Sequence, residues 1–173
     1  MREEQRRALA IPNTSMAVTI DIRGEGIHPP DKLCVGRRLA ALALEQGAHP
    51  GRKAGGPVYR THRARGGEVW VEFDRVEGGL MVGDRPMGGP VQPTPDVAPR
   101  WFEIAGEDRV WHPAAARIED RQVVLSSPAV QLPVAVRYAC HTRPQGGNLY
   151  NRAGWPASPF CSHLEWLGWE DPR

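Results

Sequence analysis

The stretch EVWVEFD, Glu68–Asp74, carries the pattern that decides the fold. Val69, Val71 and Phe73 occupy every second position, and other residue types stand between them. Alternation of this kind over about four to eight residues is typical of a β-strand that buries one face. The glycine pair at positions 66–67, directly before the stretch, is a turn signal. The sequence therefore predicts a half-buried strand that follows a tight turn.

Further short strands follow toward the C-terminus, each bounded by turn residues. WFEIAGEDRVWHPA (101–114) and ARIEDRQVVLSS (116–127) each read as two strands about a polar turn, and PVAVRYAC (133–140) reads as another strand. The chain holds 19 glycines and 17 prolines among its 173 residues, which favours turns over long helices. Short strands with regular turns indicate an antiparallel β-sandwich.

The first 47 residues carry a different pattern. Arg2–Ala10 reads as a helix that ends before Pro12. MAVTIDI, Met16–Ile22, is apolar and rich in β-branched residues, which suits a strand buried on both faces, as in a parallel sheet. The run 31–47 then reads as a second helix that ends at Gly47. Helix, strand, loop and helix make one piece of a layered α/β domain, which is too small to close a core by itself.

The second helix is amphipathic, with apolar residues at the spacing that places them on one side. We expect its buried face to consist of Leu33, Leu39, Ala40, Ala43 and Leu44. We expect its charged residues to remain in water, namely Arg37, Arg38 and Glu45.

Composition and charge argue against several classes of function. The formal net charge is +2 and the arginines are interleaved with acidic residues, so the chain has no basic stripe for a nucleic acid. No apolar run approaches the ~20 residues of a membrane span. The first ten residues read as a charged helix rather than a signal peptide. We expect neither a nucleic acid nor a membrane as a partner.

The three cysteines do not make a disulfide framework. Cys140, His141, Cys161 and His163 suggest a zinc site, but structural zinc sites usually show the tighter Cys-x-x-Cys spacing. A disulfide between Cys140 and Cys161 is a second alternative. We expect no metal and no cofactor.

A titratable side chain interrupts the loop before the second helix. The stretch GEGIHPPDK, Gly24–Lys32, places Glu25 three residues before His28. An imidazole that is oriented by a carboxylate can act as a general base near neutral pH. A histidine near an acid is common, however, so the spacing alone leaves a second interpretation open, in which His28 is a surface or helix-capping residue.

Several blocks, taken together and in order, carry a resemblance to a known family. They are MAVTIDI with GIHPPDKLCVGRRLA, YRTH, WFEIAGED, PAAARIED, VVLSSPAV, PVAVRYA and NLYNRAGWPASPF. From about Glu4 to Phe160, the chain resembles the C-terminal part of the sialate O-acetylesterase family, which belongs to the SGNH-type serine esterases. The resemblance implies removal of acetyl groups from sugar hydroxyls, typically on sialic acids, by a serine, a histidine and an acidic residue.

The resemblance assigns roles to three residues. His28 in IHPPDK matches the catalytic histidine of the family. Glu25 stands where related enzymes place an aspartate, three residues before the histidine, and Asp21 is a second candidate for the carboxylate. The family nucleophile lies in a Gly-x-Ser block, which is absent around every serine of this sequence, namely Ser15, Ser126, Ser127, Ser158 and Ser162. We therefore expect no nucleophile in this chain and no efficient esterase activity from it alone.

The resemblance also divides the chain. It implies that residues 1–48 are the end of an SGNH domain with the catalytic-histidine loop, and that residues 49–57 are a linker. Residues 58–160 are then the β-sandwich, and residues 161–173 are a C-terminal tail. The expected fold class is an α/β remnant of helix, strand, loop and helix followed by an antiparallel β-sandwich, mainly β overall.

Three interpretations of the whole chain remain open. It is the C-terminal part of a carbohydrate esterase that acts on an acetylated carbohydrate, a non-catalytic β-sandwich that serves as an accessory or sugar-binding module, or a subunit completed by a separate N-terminal SGNH chain. As an autonomous domain, residues 1–47 need cover for their apolar faces from the sandwich or from self-association, whereas a partner SGNH chain would supply the parallel sheet. Relatives are often secreted or periplasmic, and the sequence gives no cellular location.

Overall fold

The computed structural model of the protein describes residues 2–24, 28, 30–49, 51, 53–142 and 144–167. Two α-helices, α1 (Arg2–Arg7) and α2 (Lys32–Gln46), lie in the N-terminal part, and a 3₁₀ helix (Ala8–Ala10) follows α1. The strands are β1 (Val58–Arg65), β2 (Glu68–Asp74), β3 (Leu80–Asp84), β4 (Gln92–Pro93), β5 (Phe102–Ala105), β6 (His112–Pro113), β7 (Ala115–Glu119), β8 (Gln122–Ser126), β9 (Ala135–Tyr138), β10 (Leu149–Asn151) and β11 (Phe160–Cys161). A second 3₁₀ helix covers Leu164–Trp166.

The strands form antiparallel sheets. One four-stranded sheet has the order β1-β2-β8-β7, and a second has the order β11-β9-β5-β6. A three-stranded sheet has the order β10-β3-β4. Every strand pairing in the described part of the chain is antiparallel. The prediction of a mainly β protein with antiparallel sheets is confirmed.

One apolar core joins the sheets. Val69 and Val71 of β2 are fully buried and belong to the same cluster as Ile104 of β5, Val136 of β9 and Phe160 of β11. The alternation that the sequence shows in β2 is therefore the alternation of a core face and an outer face. Burying each such side chain contributes about 1.5–3 kcal/mol, so this cluster is the main source of stability.

Both predicted strand pairs are present. β7 pairs with β8 through a tight turn, and Asp120 in that turn has a positive φ of 55°, which aspartate tolerates better than most residues. β5 pairs with β6, which closes the second predicted hairpin.

The predicted strand Met16–Ile22 is not formed. Residues 16–19 have no regular secondary structure, and a turn begins at residue 20. A strand needs a neighbour to pair its backbone groups, and no described strand runs beside this segment. Most of its side chains are half-buried, Thr19 is exposed and Asp21 is buried, so the segment is not buried on both faces. The sequence pattern for a parallel strand was therefore misleading, because the described residues supply no parallel sheet.

Helix α2 begins and ends close to the predicted residues, but its burial is the reverse of the prediction. Leu33 is 61% exposed, Leu39 52% and Leu44 40%, and Ala40 and Ala43 are exposed as well. The side that packs on the rest of the protein instead carries Cys34, Arg38 and Leu42. Arg38 is buried because it pairs with Asp21, and Glu45 is largely covered through its contact with Arg75. Only Arg37 of the three charged residues is exposed as predicted.

The N-terminal part contacts the sheets at several points. Helix α1 packs against β11, and the Arg2 guanidinium donates to the carbonyl oxygen of His141 at 2.8 Å. Asn151 of β10 donates to the carbonyl oxygens of Gly55 and Arg75. The boundaries of the linker and tail stay predictions. Among the described residues, no helix has the length and apolar content needed to cross a membrane.

Candidate functional site

The candidate histidine lies on a loop whose ends come together. His28 is exposed, and the loop around it runs between Gly24 and Pro30. A Cβ at Gly24 would lie 2.5 Å from Cδ of Pro30, so a side chain at position 24 would clash with the proline ring. Glycine at this position therefore lets residues 24 and 30, which flank the exposed His28, lie in contact.

The C-terminal end of the loop is fixed by Asp31. Its Oδ1 accepts from the backbone N–H of Cys34 at 3.0 Å, which makes Asp31 the N-cap of α2. Its Oδ2 accepts from Arg85 at 2.5 Å and from the backbone N–H of Gly88 at 3.1 Å. The Arg85 guanidinium, and next the Cys34 amide, hold the pKa of Asp31 down at about 2. Arg85 and Gly88, in the loop between β3 and β4, thus fix the N-cap of α2. That N-cap, Asp31, lies three residues after His28.

The N-terminal end of the loop is held by two weaker contacts. Arg23 pairs with Asp84 at the end of β3 at 2.5 Å, in an exposed position. The Gln145 side-chain amide donates to the carbonyl oxygen of Gly24 at 3.5 Å, and the Trp101 indole donates to the Gln145 carbonyl oxygen at 3.0 Å. Residues of the sheet region therefore hold the histidine loop at both ends.

Asp21 is committed to a buried ion pair. Its two carboxylate oxygens accept from the Arg38 guanidinium at 2.7 and 2.6 Å, and the Tyr150 hydroxyl donates to the same carboxylate at 3.3 Å. Arg38 also donates to the Val18 carbonyl oxygen at 2.5 Å. No hydrogen bond among the described residues joins Asp21 to His28. Glu25, the other candidate carboxylate, lies outside the described residues.

Three of the five serines have local hydrogen-bond partners. Ser15 accepts from the Gln46 amide at 2.6 Å, and the buried Ser158 hydroxyl donates to the Pro159 carbonyl oxygen. Ser162 lies 2.9 Å from Nδ1 of His163, but its Oγ also accepts the Val136 N–H at 2.9 Å. That hydroxyl therefore completes the pairing between β9 and β11, and it lies on the sheet rather than on the His28 loop.

The cysteine and histidine side chains near the C-terminus contact other groups rather than one another's ligand atoms in the described part of the chain. Cys140 donates to the carbonyl oxygen of Phe160, and Cys161 donates to that of His163. Both thiols are free, and burial raises the pKa of Cys140 to about 12 and that of Cys161 to about 11. His141 contacts the Glu103 carboxylate at 3.0 Å instead of either sulfur. Within the described ranges, no group of three or more histidine, cysteine or acidic side chains converges on one point.

Sequence reasoning missed the residues that position the loop. Arg85 and Gln145 lie far from His28 in sequence, and no local pattern connects them to it. Arg38 did leave a signal, because it follows Cys34 by four residues and precedes Leu42 by four, so these three share one side of α2.

Comparison with known proteins shows a similarity to a carbohydrate esterase of known structure. No family model matches the chain, and no curated protein does. A solved structure of a carbohydrate acetylesterase from Xanthomonas citri matches with a TM-score of 0.79 and 38% sequence identity. The match covers 92% of this chain and 35% of that protein, so this chain spans about a third of the length of the esterase.

Proposed function

We propose that this chain is the C-terminal portion of a carbohydrate O-acetylesterase and that His28 is its general base. The observation that carries the proposal is the likeness to the Xanthomonas citri acetylesterase, at 38% identity over 92% of this chain. The presentation of His28 supports it, because an exposed imidazole on a loop held at both ends is open to an incoming hydroxyl. We further propose, from the family resemblance, that the ester is an O-acetyl group on sialic acid or a related sugar.

The chemistry assigned to His28 is proton transfer. A serine hydroxyl is a weak nucleophile, and a neutral imidazole within hydrogen-bond reach takes its proton as the oxygen attacks the acetyl carbonyl carbon. The same imidazolium then gives the proton to the departing sugar oxygen, which leaves an acetyl-serine for water to hydrolyse. A carboxylate on the other ring nitrogen would fix the tautomer. Of the two candidates, Glu25 is the better one, because the oxygens of Asp21 already pair with Arg38.

The serine and the oxyanion donors would come from another polypeptide segment. None of the five serines stands in a Gly-x-Ser block, and the three with hydrogen bonds described above serve local structure. We propose an SGNH segment as the missing part, on the same gene product or as a separate chain. Loss of a member of such a triad lowers the rate by roughly 10⁴–10⁶-fold in serine proteases, so we expect this chain alone to be inactive.

The test is an acetyl-release assay on O-acetylated sialic acid and on an aryl acetate. The 173-residue chain is assayed alone and together with the part of the Xanthomonas citri esterase that it does not match. We expect no hydrolysis by the chain alone, hydrolysis by the combination, and its loss in His28→Ala. His49→Ala, which removes an exposed histidine at the other end of α2, is the matched control and should keep the activity.

Two results would count against this function. Hydrolysis by the chain alone that survives His28→Ala would show a different catalytic group. Tight binding of the acetylated sugar without hydrolysis in any combination would favour the alternative, an accessory sugar-binding module.

A further inference from the structure

The connection between β3 and β4 extends from the sheet region to the loop that carries His28. β3 and β4 pair up to Asp84 and Gln92, so the connection covers positions 85–91. β3 is anchored in the core, since Leu80 is buried there and β10 pairs with β3 along its other edge. The base of this connection is therefore fixed to the core.

The connection contains a tight turn at positions 86–89. The Gly89 N–H donates to the Pro86 carbonyl oxygen at 3.1 Å, and Gly88 has a φ of 73°. A positive φ at the third residue alone is the geometry of a type II turn, which favours glycine there. A Cβ at Gly89 would lie 2.8 Å from Cγ of Pro86, so the turn is closely packed on itself. The proline ring fixes one more backbone angle, and the turn is therefore a rigid element.

This turn binds Asp31 with two donors. The Arg85 guanidinium and the Gly88 N–H both donate to Oδ2 of Asp31, at 2.5 and 3.1 Å. The Arg85 and Asp31 side chains are only 8% and 6% exposed, so the pair is poorly screened by water. The other oxygen, Oδ1, accepts from the Cys34 N–H. One oxygen therefore caps α2, and the other joins the start of α2 to the sheet region.

We propose that Arg85 is a positioning residue for His28, and that the sheet region is thereby a required part of the esterase site rather than an accessory module. Arg85 acts through Asp31, which lies three residues after His28 and ends its loop. The catalytic meaning of this role rests on the proposed function, because that function is what assigns proton transfer to His28.

The role follows from what a general base needs. Its imidazole must stay within hydrogen-bond reach of the hydroxyl from which it takes the proton. Without Arg85, the end of the loop at Asp31 keeps its helix cap but loses its charged contact with the sheet region. A displacement of about 1 Å in a catalytic group can lower the rate on the order of 100-fold. Arg85 therefore supports the rate through the placement of His28, without touching the substrate.

The first test measures ¹⁵N relaxation of the His28 backbone amide in the full 173-residue chain. We expect an order parameter of about 0.85, as in rigid backbone, for the unchanged chain and below about 0.6 for Arg85→Met. Arg137→Met is the matched control, because it removes another well-covered arginine pair, that of Arg137 with Glu103. It should lower the melting temperature to a similar extent and leave the His28 amide rigid.

A second variant separates the ion pair from the helix cap. Asparagine caps helices about as well as aspartate, so Asp31→Asn should keep the start of α2 while it removes the charge that Arg85 contacts. We expect the His28 amide to become as mobile as in Arg85→Met. The double variant should add no further mobility, because the two residues act as one unit. Arg85→Lys keeps the charge and should restore part of the order.

The last test measures acetyl release from an aryl acetate by the chain combined with the unmatched part of the Xanthomonas citri esterase. Arg85→Met should lower kcat by at least about tenfold and change KM by less than about threefold, because it misplaces the base rather than the substrate. Arg85→Lys should recover part of kcat. Arg137→Met should leave both constants close to those of the unchanged chain.

Three results would overturn the proposal. They are a His28 amide that is already mobile in the unchanged chain, one that stays rigid in both Arg85→Met and Asp31→Asn, and equal losses of kcat in Arg85→Met and Arg137→Met. The proposed function is judged separately. No acetyl release by the combination refutes that function, and the relaxation of the His28 amide still decides whether Arg85 holds the loop.

Discussion

The apolar side of an amphipathic element is buried in the sheet region but exposed in the N-terminal region. In β2, the side chains that alternate as apolar are fully or nearly buried in the core. In α2, the side that is apolar is exposed, and a buried arginine lies on the side that packs. Both regions have a clear amphipathic pattern. The difference teaches that a pattern identifies the side that needs cover, but not whether the cover belongs to the same chain.

A matched pair of truncations should show the largest difference between the two regions. Phe160 is fully buried and stacks on Tyr59 with ring centroids 4.4 Å apart, so Phe160→Ala should lower the free energy of unfolding by about 3–5 kcal/mol. Leu33→Ala should change it by less than about 0.5 kcal/mol, because Leu33 is already in solvent. Urea unfolding measures both. Equal losses of unfolding free energy in the two variants would mean that Leu33 is covered in solution, which would contradict the difference between the two regions.

The ion pair that anchors the packed side of α2 should give the next largest effect. Arg38→Met leaves the buried Asp21 carboxylate without its charged partner, and we expect a loss of about 3 kcal/mol in the free energy of unfolding. The adjacent Arg37→Met, on the exposed side, should be nearly neutral and serves as the control. If adding Asp21→Leu to Arg38→Met recovers most of the loss, the pair is structural, as its geometry indicates.

Loss of the N-cap interaction of α2 should have a smaller effect on stability, which is best measured as a function of pH. The pKa of Asp31 is about 2, below its usual range, so its contribution to stability is complete above about pH 4 and is lost as the pH falls through about 2. Arg85→Met should raise this pKa toward the ordinary value near 4, as measured by NMR titration of the carboxyl carbon. Arg23→Met, which removes the exposed pair with Asp84, should leave it unchanged. No change in Arg85→Met would show that Arg85 does not hold the loop end.

Local patterns were enough to predict the central part of the sheet region, namely β2, the β5–β6 and β7–β8 hairpins and β9. Each prediction of this kind depends on a few neighbouring positions. Examples are the alternation in β2, the turn residues of the β7–β8 hairpin and the cap residues of α2. The strands bury these patterns against one another, so local preference and tertiary packing agree. The mainly β architecture followed from that agreement.

The N-terminal region could not be predicted in the same way. Met16–Ile22 has the composition of a buried strand, but strand formation depends on a neighbour that the sequence does not contain in its described part. The prediction that the apolar side of α2 is buried was wrong for the same reason, because the described residues supply nothing that covers it. At the candidate site, the role of His28 stays a prediction that rests on the family resemblance. Arg85 and Gln145 left no local signal, because their contacts join positions more than 50 residues from it.

Amide exchange in the isolated chain tests the central claim most directly, namely that the N-terminal region is folded with its pairing groups still open. Rates are compared at Met16–Thr19 and at Val69–Val71, under identical conditions. We expect the first group to exchange nearly as fast as an unstructured peptide, and the second to be protected close to the limit set by global unfolding. Comparable protection in the two groups would contradict the account, because Met16–Thr19 would then already have a strand partner.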